Sequence, residues 1–92
     1  MALSRKDANH YEIRRELCYV TEVQDVSQFE GLGCDLIAKH CKGGYPVFVE
    51  IKLPRSRNRI SGSEAEMQSR WPANYCVVTT VAEALCAVGY EG

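Results

Sequence analysis

The sequence predicts an α/β protein in which a small mixed β-sheet is flanked by helices, in the order α-β-β-β-α-β-α. Four short runs, at residues 19–26, 34–40, 45–52 and 75–79, are rich in apolar and β-branched residues, as strands are. Three helices are predicted outside these runs, each preceded by a residue that can cap it: Asp7, Ser61 and Thr80. A chain of 92 residues holds at most one sizeable core, so we expect a single domain over residues 1–92.

The first helix and the first strand are expected at the start of the chain. Asp7 can cap a helix that runs to about Cys18. Tyr11, Leu17 and Cys18 would form its apolar stripe, with the neighbouring arginines outside. The loosely alternating residues 19–26 then predict a strand.

A β-hairpin is expected next. A loop over residues 27–33 leads to the second strand, 34–40, and the paired glycines of residues 41–44 predict a tight turn into the third strand, 45–52. Pro46 suits only the start of a strand or an edge strand, because it cannot donate a backbone hydrogen bond.

Two capped helices are expected around the last strand. Ser61 with Glu64, and Thr80 with Glu83, both have the spacing of a capping box. A polar, basic loop over residues 53–59 precedes the first of these helices. The second helix should end at Trp71, before Pro72, and the last helix at about Val88, before Gly89. The strand between them should end at Thr79.

Charge is nearly balanced overall but unevenly distributed. The net charge of −1 argues against a polycation that binds nucleic acid through its whole surface. Residues 51–63 carry four basic side chains and no acid, whereas residues 12–35 carry six acids and two arginines. One part of the chain therefore suits a cation and another part suits a polyanion.

The cysteines and the N-terminus indicate a compartment. The five cysteines are odd in number and contain no CxxC pair, which favours reduced, mostly buried thiols over a disulfide framework or a zinc site. Residues 1–6 lack the apolar core of a signal peptide, and no segment approaches the roughly 20 apolar residues of a membrane span. We expect a soluble, cytoplasmic protein without membrane contact.

Three charged residues carry the chemical prediction. Glu50 and Lys52 lie two apart in a strand and so share a face, opposite Val47, Val49 and Ile51. Folding of the hairpin can bring Asp35 beside them. Two carboxylates and an ammonium suit a hard divalent cation next to a phosphate. On spacing alone, a loop aspartate and a surface ion pair remain the default interpretation.

Five motifs, in order along nearly the whole chain, resemble those of the PD-(D/E)xK nucleases, and among them the small VRR-NUC-type nucleases common in bacteriophages. The segments are Arg5–Ile13, Gly33–Leu36, Glu50–Lys52, Ile60–Trp71 and Val77–Leu85, which are similar to the family's R-x-D-A-N-x-x-E-I, G-x-P-D-L, E-[VI]-K, L-T-x-x-Q-x-x-[FW]-x-x-x-W and V-V-x-[ST]-x-x-E-A-L. Two positions depart from the pattern. Cys34 replaces the usual proline, and Glu64 stands where the family usually has glutamine.

The resemblance implies a restriction-endonuclease-like fold and a DNA endonuclease that depends on Mg²⁺ or Mn²⁺, acting in phage or bacterial DNA replication, recombination or repair. Asp35 and Glu50 would be direct metal ligands, with the carbonyl of Ile51 as a third. Lys52 would position the attacking water or stabilise the phosphate. Glu12 would be a further metal or water ligand, or else a solvated glutamate paired along its helix. The alternative function is a catalytically silent nucleic-acid-binding module of the same fold.

Further side chains are candidates for contact with DNA. Arg55, Arg57 and Arg59 would contact phosphates from a mobile loop, or else belong to a solvated loop. Asn9 would contact phosphate or support the helix cap, and Gln68 lies one turn beyond Glu64, which itself fits a capping role better than a ligand role. Trp71 and the cysteines are expected in the core. Because so small a chain makes a shallow site, we expect a homodimer. If the protein is phage-encoded, we expect it in the cytoplasm of the host cell.

Overall fold

The computed structural model describes residues 5–92, and side chains from residue 8 onward. Within this range three helices and four strands follow the predicted order, with one added 3₁₀ turn at Pro54–Ser56. The elements are α1 (Arg5–Val20), β1 (Val23–Asp25), β2 (Leu36–Lys39), β3 (Pro46–Ile51), α2 (Gly62–Arg70), β4 (Tyr75–Val78) and α3 (Val81–Ala87). A small mixed α/β domain is therefore confirmed.

The four strands form one sheet in the order β1-β2-β3-β4. β1, β2 and β3 pair antiparallel, whereas β4 runs parallel to β3. The predicted turn closes the β2–β3 hairpin, where His40 N donates to Tyr45 O at 2.8 Å and Gly44 N donates to His40 O at 3.0 Å. Pro46 is the first residue of β3, which leaves the rest of this interior strand free to form its ladder bonds.

Helices cover both faces of the sheet. On one face, α1 and α3 close a core that includes Ile13, Leu17, Val47, Val49, Ile51 and Val88. On the other face, Met67 of α2 packs with a smaller apolar cluster that includes Val26, Cys34, Tyr75 and Phe48. The predicted alternation of β3 is thus found, since its valines and Ile51 lie in the larger core. Glu50 and Lys52 belong to the face that α2 covers.

The first helix differs from its prediction at both ends. α1 already begins at Arg5, so Asp7 is its third residue and not its cap; arginine and lysine before it are good helix formers. The helix continues to Val20, and Thr21 N still donates to Leu17 O at 3.0 Å. The first strand is consequently only three residues long.

The apolar stripe of α1 is also shifted from the prediction. Ile13 and Leu17, four residues apart, are fully buried, and Val20 packs against the same core. Tyr11 is 49% exposed and Cys18 is exposed, so both lie outside the stripe. The loose pattern misleads because a tyrosine and a thiol tolerate solvent as well as a core.

Two expectations of burial are wrong. Trp71 is 46% exposed and meets Phe48 edge-on, with ring centroids 5.8 Å apart, at the border of the smaller cluster. All five cysteines are free, but only Cys34 is buried; Cys76 is partly buried, and the exposed thiols are those of Cys18, Cys41 and Cys86. A folded surface always retains apolar atoms, so the sequence alone does not force any single tryptophan or cysteine into the core.

The capping predictions hold with one change. At α2, Ser61 Oγ accepts from Glu64 N at 3.3 Å, and Ser61 N donates to Glu64 Oε1 at 3.0 Å, which completes the capping box. At α3, Thr80 Oγ1 accepts from Glu83 N at 3.1 Å, but Glu83 Oε1 accepts from Thr79 N at 2.7 Å instead of from Thr80. Gly89, with φ +73°, follows α3 as its predicted stop.

Candidate functional site

The candidate site lies where β2 begins and β3 ends, on the face covered by α2. Asp35 immediately precedes β2 and is half-buried. Its backbone N donates to Val49 O at 2.9 Å, and its Oδ2 accepts from Ile51 N at 2.8 Å. The Asp35 carboxylate thus accepts a hydrogen bond from Ile51 N that a backbone carbonyl would accept in regular strand pairing. This contact fixes the Asp35 carboxylate beside the residue that follows Glu50.

Glu50 is a buried carboxyl group next to Asp35. Only 4% of the residue is exposed. Burial, the charges of Asp35 and Glu64, and a hydrogen bond shared with Asp35 raise the pKa of Glu50 to about 8, although Lys52 opposes the rise. Its surroundings therefore disfavour the charged form of Glu50. A cation beside the two carboxyl groups would instead favour ionisation of Glu50, because an opposite charge stabilises a carboxylate.

Lys52 lies directly after β3, between two carboxylates. Its Nζ is 3.7 Å from Glu50 Oε2 and 3.0 Å from Glu64 Oε1, and its side chain is 11% exposed. Its backbone N donates to Val78 O at 3.0 Å, which continues the pairing with β4. The sheet therefore holds Lys52 on the same face as Glu50, as the spacing predicts.

Glu64 combines the helix cap with a contact that the sequence does not reveal. Burial raises the pKa of Glu64, but the hydrogen bond from Ser61 N and the contact with Lys52 outweigh this, and the pKa stays below its ordinary value. The capping spacing explains only the bond to Ser61. The one available signal for the ion pair is the departure from the resembling family, in which a neutral glutamine is usual at this position.

Two uncharged side chains, those of Tyr75 and Cys34, lie near the carboxyl groups of the site. Tyr75 Oη donates to Gly33 O at 2.8 Å and ties β4 to the loop before Asp35. Burial, followed by the charges of Glu50 and Asp35, raises the pKa of the Cys34 thiol to about 12. Cys34 is therefore an inert, protonated group, and its replacement of the usual proline adds no nucleophile or metal ligand.

Glu12 and Asn9 lie at a separate cleft. This cleft of about 580 Å³ is lined by Ala8, Asn9, Glu12, Leu53, Pro54, Arg55 and Thr79. Glu12 is exposed there, and Arg15 pairs with Glu16 rather than with it. Among the described side chains, no hydrogen bond or ion pair joins Glu12 to Asp35 or Glu50. Asn9 Nδ2 donates to Lys52 O at 3.4 Å and to Thr79 O at 3.2 Å, so its amide ties α1 to the ends of β3 and β4.

The basic residues after β3 do not share one role. Arg55 is exposed and lines the cleft, whereas Arg57 Nη1 pairs with Glu83 Oε2 at 2.6 Å. The hydrogen bond from Arg57, followed by that from Thr79 N, lowers the pKa of Glu83 to about 2. Arg59 is exposed. The segment after β3 is thus a loop, as predicted, that contains one 3₁₀ turn and the Arg57–Glu83 contact.

The donor set at the site suits a hard divalent cation but is small. Across residues 8–92, no three His, Cys, Asp or Glu side chains are arranged to hold a metal ion. Asp35 and Glu50 offer two carboxyl groups, and Ile51, whose carbonyl is the third expected ligand, directly follows Glu50 along the chain. Oxygen donors of this kind bind Mg²⁺ or Mn²⁺ with the remaining positions filled by water or substrate. Gln68, exposed on α2, adds a neutral amide one turn beyond Glu64.

Comparison with models of protein families, with curated proteins and with solved structures finds no match to this chain. Among residues 5–92, no helix has the length and apolar character needed to cross a membrane. The resemblance to the nuclease family therefore rests on the motifs of the chain alone.

Proposed function

We propose that the protein is a Mg²⁺- or Mn²⁺-dependent DNA endonuclease with a restriction-endonuclease-like fold, acting in phage or bacterial DNA replication, recombination or repair. The observation that carries the proposal is the meeting of Asp35, Glu50 and Lys52 on one face at the end of β3. Glu50 is buried with its pKa raised to about 8 beside a second carboxylate. Clusters of titratable groups with perturbed pKa values are typical of functional sites.

The residues would divide the chemistry among them. Asp35 and Glu50, with the Ile51 carbonyl, would hold the cation, which supplies an activated water and neutralises charge on the phosphate. Ile51 N, bonded to Asp35 Oδ2, orients that carboxylate. Lys52 would donate hydrogen bonds to the attacking water or to a phosphate oxygen. Arg55, Arg57 and Arg59 would contact neighbouring backbone phosphates, and Glu12 and Asn9 would border the substrate from their cleft.

The test is a cleavage assay on linear, nicked, flapped and four-way-junction DNA, and on RNA, with and without Mn²⁺. Asp35→Asn keeps the shape of the side chain and its bond to Ile51 N but removes a charged ligand. We expect it to bind DNA and to lose metal-dependent cleavage. Glu66→Gln, an equal change of charge at an exposed position of α2, should cleave as the parent does. Asp35→Asn that cleaves as well as the parent would disprove this site.

The alternative is a DNA-binding module without catalysis. The observation that favours it is the position of the Lys52 ammonium, which lies closer to Glu64 than to Glu50. In this case the protein would bind DNA but cleave no substrate of the panel in Mn²⁺. If the parent does cleave, Lys52→Ala should abolish the cleavage and leave Mn²⁺ binding unchanged or tighter, as expected of a nuclease.

Two further parts of the proposal concern assembly and location. A homodimer would double the surface that contacts DNA, and light scattering at micromolar concentration should then give twice the chain mass of 10.3 kDa. The free thiols, three of them exposed, agree with a reducing compartment, the cytoplasm of the cell that makes the protein.

A further inference from the structure

The site contains a contact that the proposed chemistry does not use, the ion pair between Lys52 and Glu64. Lys52 Nζ lies 3.0 Å from Glu64 Oε1 and 3.7 Å from Glu50 Oε2. The exposed fractions of the side chains are 11% for Lys52, 15% for Glu64 and 5% for Glu50. A largely buried ammonium needs a counter-charge, and Glu64 is the nearer of the two.

Lys52 and a divalent cation would compete for Glu50. Both are positive, so an ammonium in full contact with the Glu50 carboxylate weakens the attraction of that carboxylate for a second cation. Glu50 and Lys52 lie on one face of the strand, two residues apart, and direct pairing is within their reach. Glu64, on α2, offers Lys52 a second partner, and the ammonium lies nearer to Glu64 than to Glu50.

The position of Glu64 does not depend on Lys52. The capping box at the start of α2 fixes its carboxylate through Ser61 N, and fixes its backbone through Ser61 Oγ. A negative charge is also favourable in the first turn of a helix. The helix therefore supplies an anchored counter-ion to which the lysine is drawn.

We propose that Glu64 is a positioning residue that draws Lys52 away from Glu50 and so keeps Glu50 available to a divalent cation. The inference rests on the proposed function, because it takes Asp35 and Glu50 as the ligands. It also gives a reason for glutamate at a position where the resembling family usually has a neutral amide.

The test is titration with Mn²⁺, without DNA, of the full chain and of variants at Lys52 and Glu64. Glu64→Gln keeps the cap, since glutamine also serves in a capping box, and removes only the charge. We expect it to weaken Mn²⁺ binding about tenfold, or about 1.4 kcal/mol, because Lys52 then turns to Glu50. In a Lys52→Met background the same substitution should weaken binding less than about twofold, because no competing ammonium remains. Glu66→Gln is the matched control and should bind as the parent does.

The outcomes separate this inference from the proposed function. An equal decrease of affinity with and without the Lys52→Met substitution would mean that Glu64 only adds diffuse negative charge, which would overturn the inference and leave the nuclease site intact. A parent that binds no Mn²⁺, or binds it only as well as Asp35→Asn does, would overturn both. Should Glu64→Gln not fold, Glu64→Asp, which keeps the charge but shortens the reach, replaces it in the same comparison and should again lose affinity only when Lys52 is present.

Discussion

At the scale of single residues, the site is defined by a conflict between burial and charge. Glu50 lies in a strand whose other face builds the main core, and the backbone gives its side chain no route to solvent. Its burial and the nearby Asp35 and Glu64 raise its pKa. A fold that accepts such a group gives up stability at one position, as is common where structure serves a function other than stability.

This conflict predicts a pH dependence of stability. The pKa of Glu50 is about 8 in the folded protein against an ordinary 4.5, so between these values the folded state holds a proton that the unfolded state lacks. The stabilising effect of that proton is complete below pH 4.5 and is lost as the pH rises through 8. Glu50→Gln stays neutral and should be more stable than the parent at pH 8, by about 1–3 kcal/mol.

The measurement is urea unfolding of both proteins in EDTA at pH 5 and pH 8. We expect the free energies of unfolding to be similar at pH 5 and to diverge at pH 8. Glu66→Gln controls for net charge and should follow the parent at both pH values, because that side chain is exposed. Parallel pH profiles of the parent and Glu50→Gln would show that Glu50 ionises as freely in the folded protein as in the unfolded chain.

At the scale of elements, the sequence predicts those boundaries that local chemistry determines. Ser61, Thr80 and Gly89 bound α2 and α3 because each satisfies backbone groups of its own helix end. The hairpin turn and the alternation of β3 follow in the same way. The end of α1 is different, because Val20 is held in the helix by packing against a core built from distant segments.

The same distinction separates the predictable part of the site from the rest. Strand periodicity places Glu50 and Lys52 on one face, and the hairpin brings Asp35 to them. The contact of Lys52 with Glu64 depends on how α2 docks on the sheet, and that of Arg57 with Glu83 joins residues 26 positions apart. Neither pair has a periodic signal, since each is made by tertiary packing.

Docking of α2 can be tested through two glycines of the loop before β2. Gly33 has φ +101°, and a Cβ there would lie 2.5 Å from Ser63 O, at the start of α2. Gly31 has φ +78° and open space around it, so Gly31→Ala should cost only the backbone strain of about 1–2 kcal/mol. Gly33→Ala should cost at least about 1 kcal/mol more in thermal or urea unfolding, because α2 must also move.

A shift of α2 should be visible in the site as well. Gly33→Ala moves Glu64 relative to Lys52, so we expect weaker Mn²⁺ binding, whereas Gly31→Ala should bind as the parent does. Equal decreases of stability in the two variants would show that the loop does not approach α2 as closely as the distance to Ser63 O indicates.

At the scale of the whole molecule, the sheet assembles the site between two layers of helices. One face of β3 packs in the core with α1 and α3, and the other face carries Glu50 beside Lys52 and Glu64. Residues at the ends of β3 and β4 are joined to α1 through Asn9, which places the cleft of Glu12 and Arg55 beside that end of the sheet. Carboxylates and arginines thus lie near one end of a molecule whose net charge is only −1.

Because the net charge is close to zero, the proposed binding of DNA must depend on local basic side chains, whose contributions can be told apart by their salt dependence. Removing one arginine that neutralises a phosphate should reduce the slope of log affinity against log salt by about 0.9 for duplex DNA. Arg55→Ala, which removes an exposed arginine, should show this full change. Arg57→Ala should show a smaller change of slope, because Arg57 must leave Glu83, 2.6 Å away, before it can reach a phosphate.

The partner of Arg57 offers a second variant. Glu83→Gln can still accept from Thr79 N but loses the charge that holds Arg57, so it should tighten binding and steepen the slope. Arg15→Ala, on α1 and paired with Glu16, is the control and should leave the slope unchanged. If Arg55→Ala and Arg57→Ala changed the slope no more than this control, the segment after β3 would not be the surface that binds DNA.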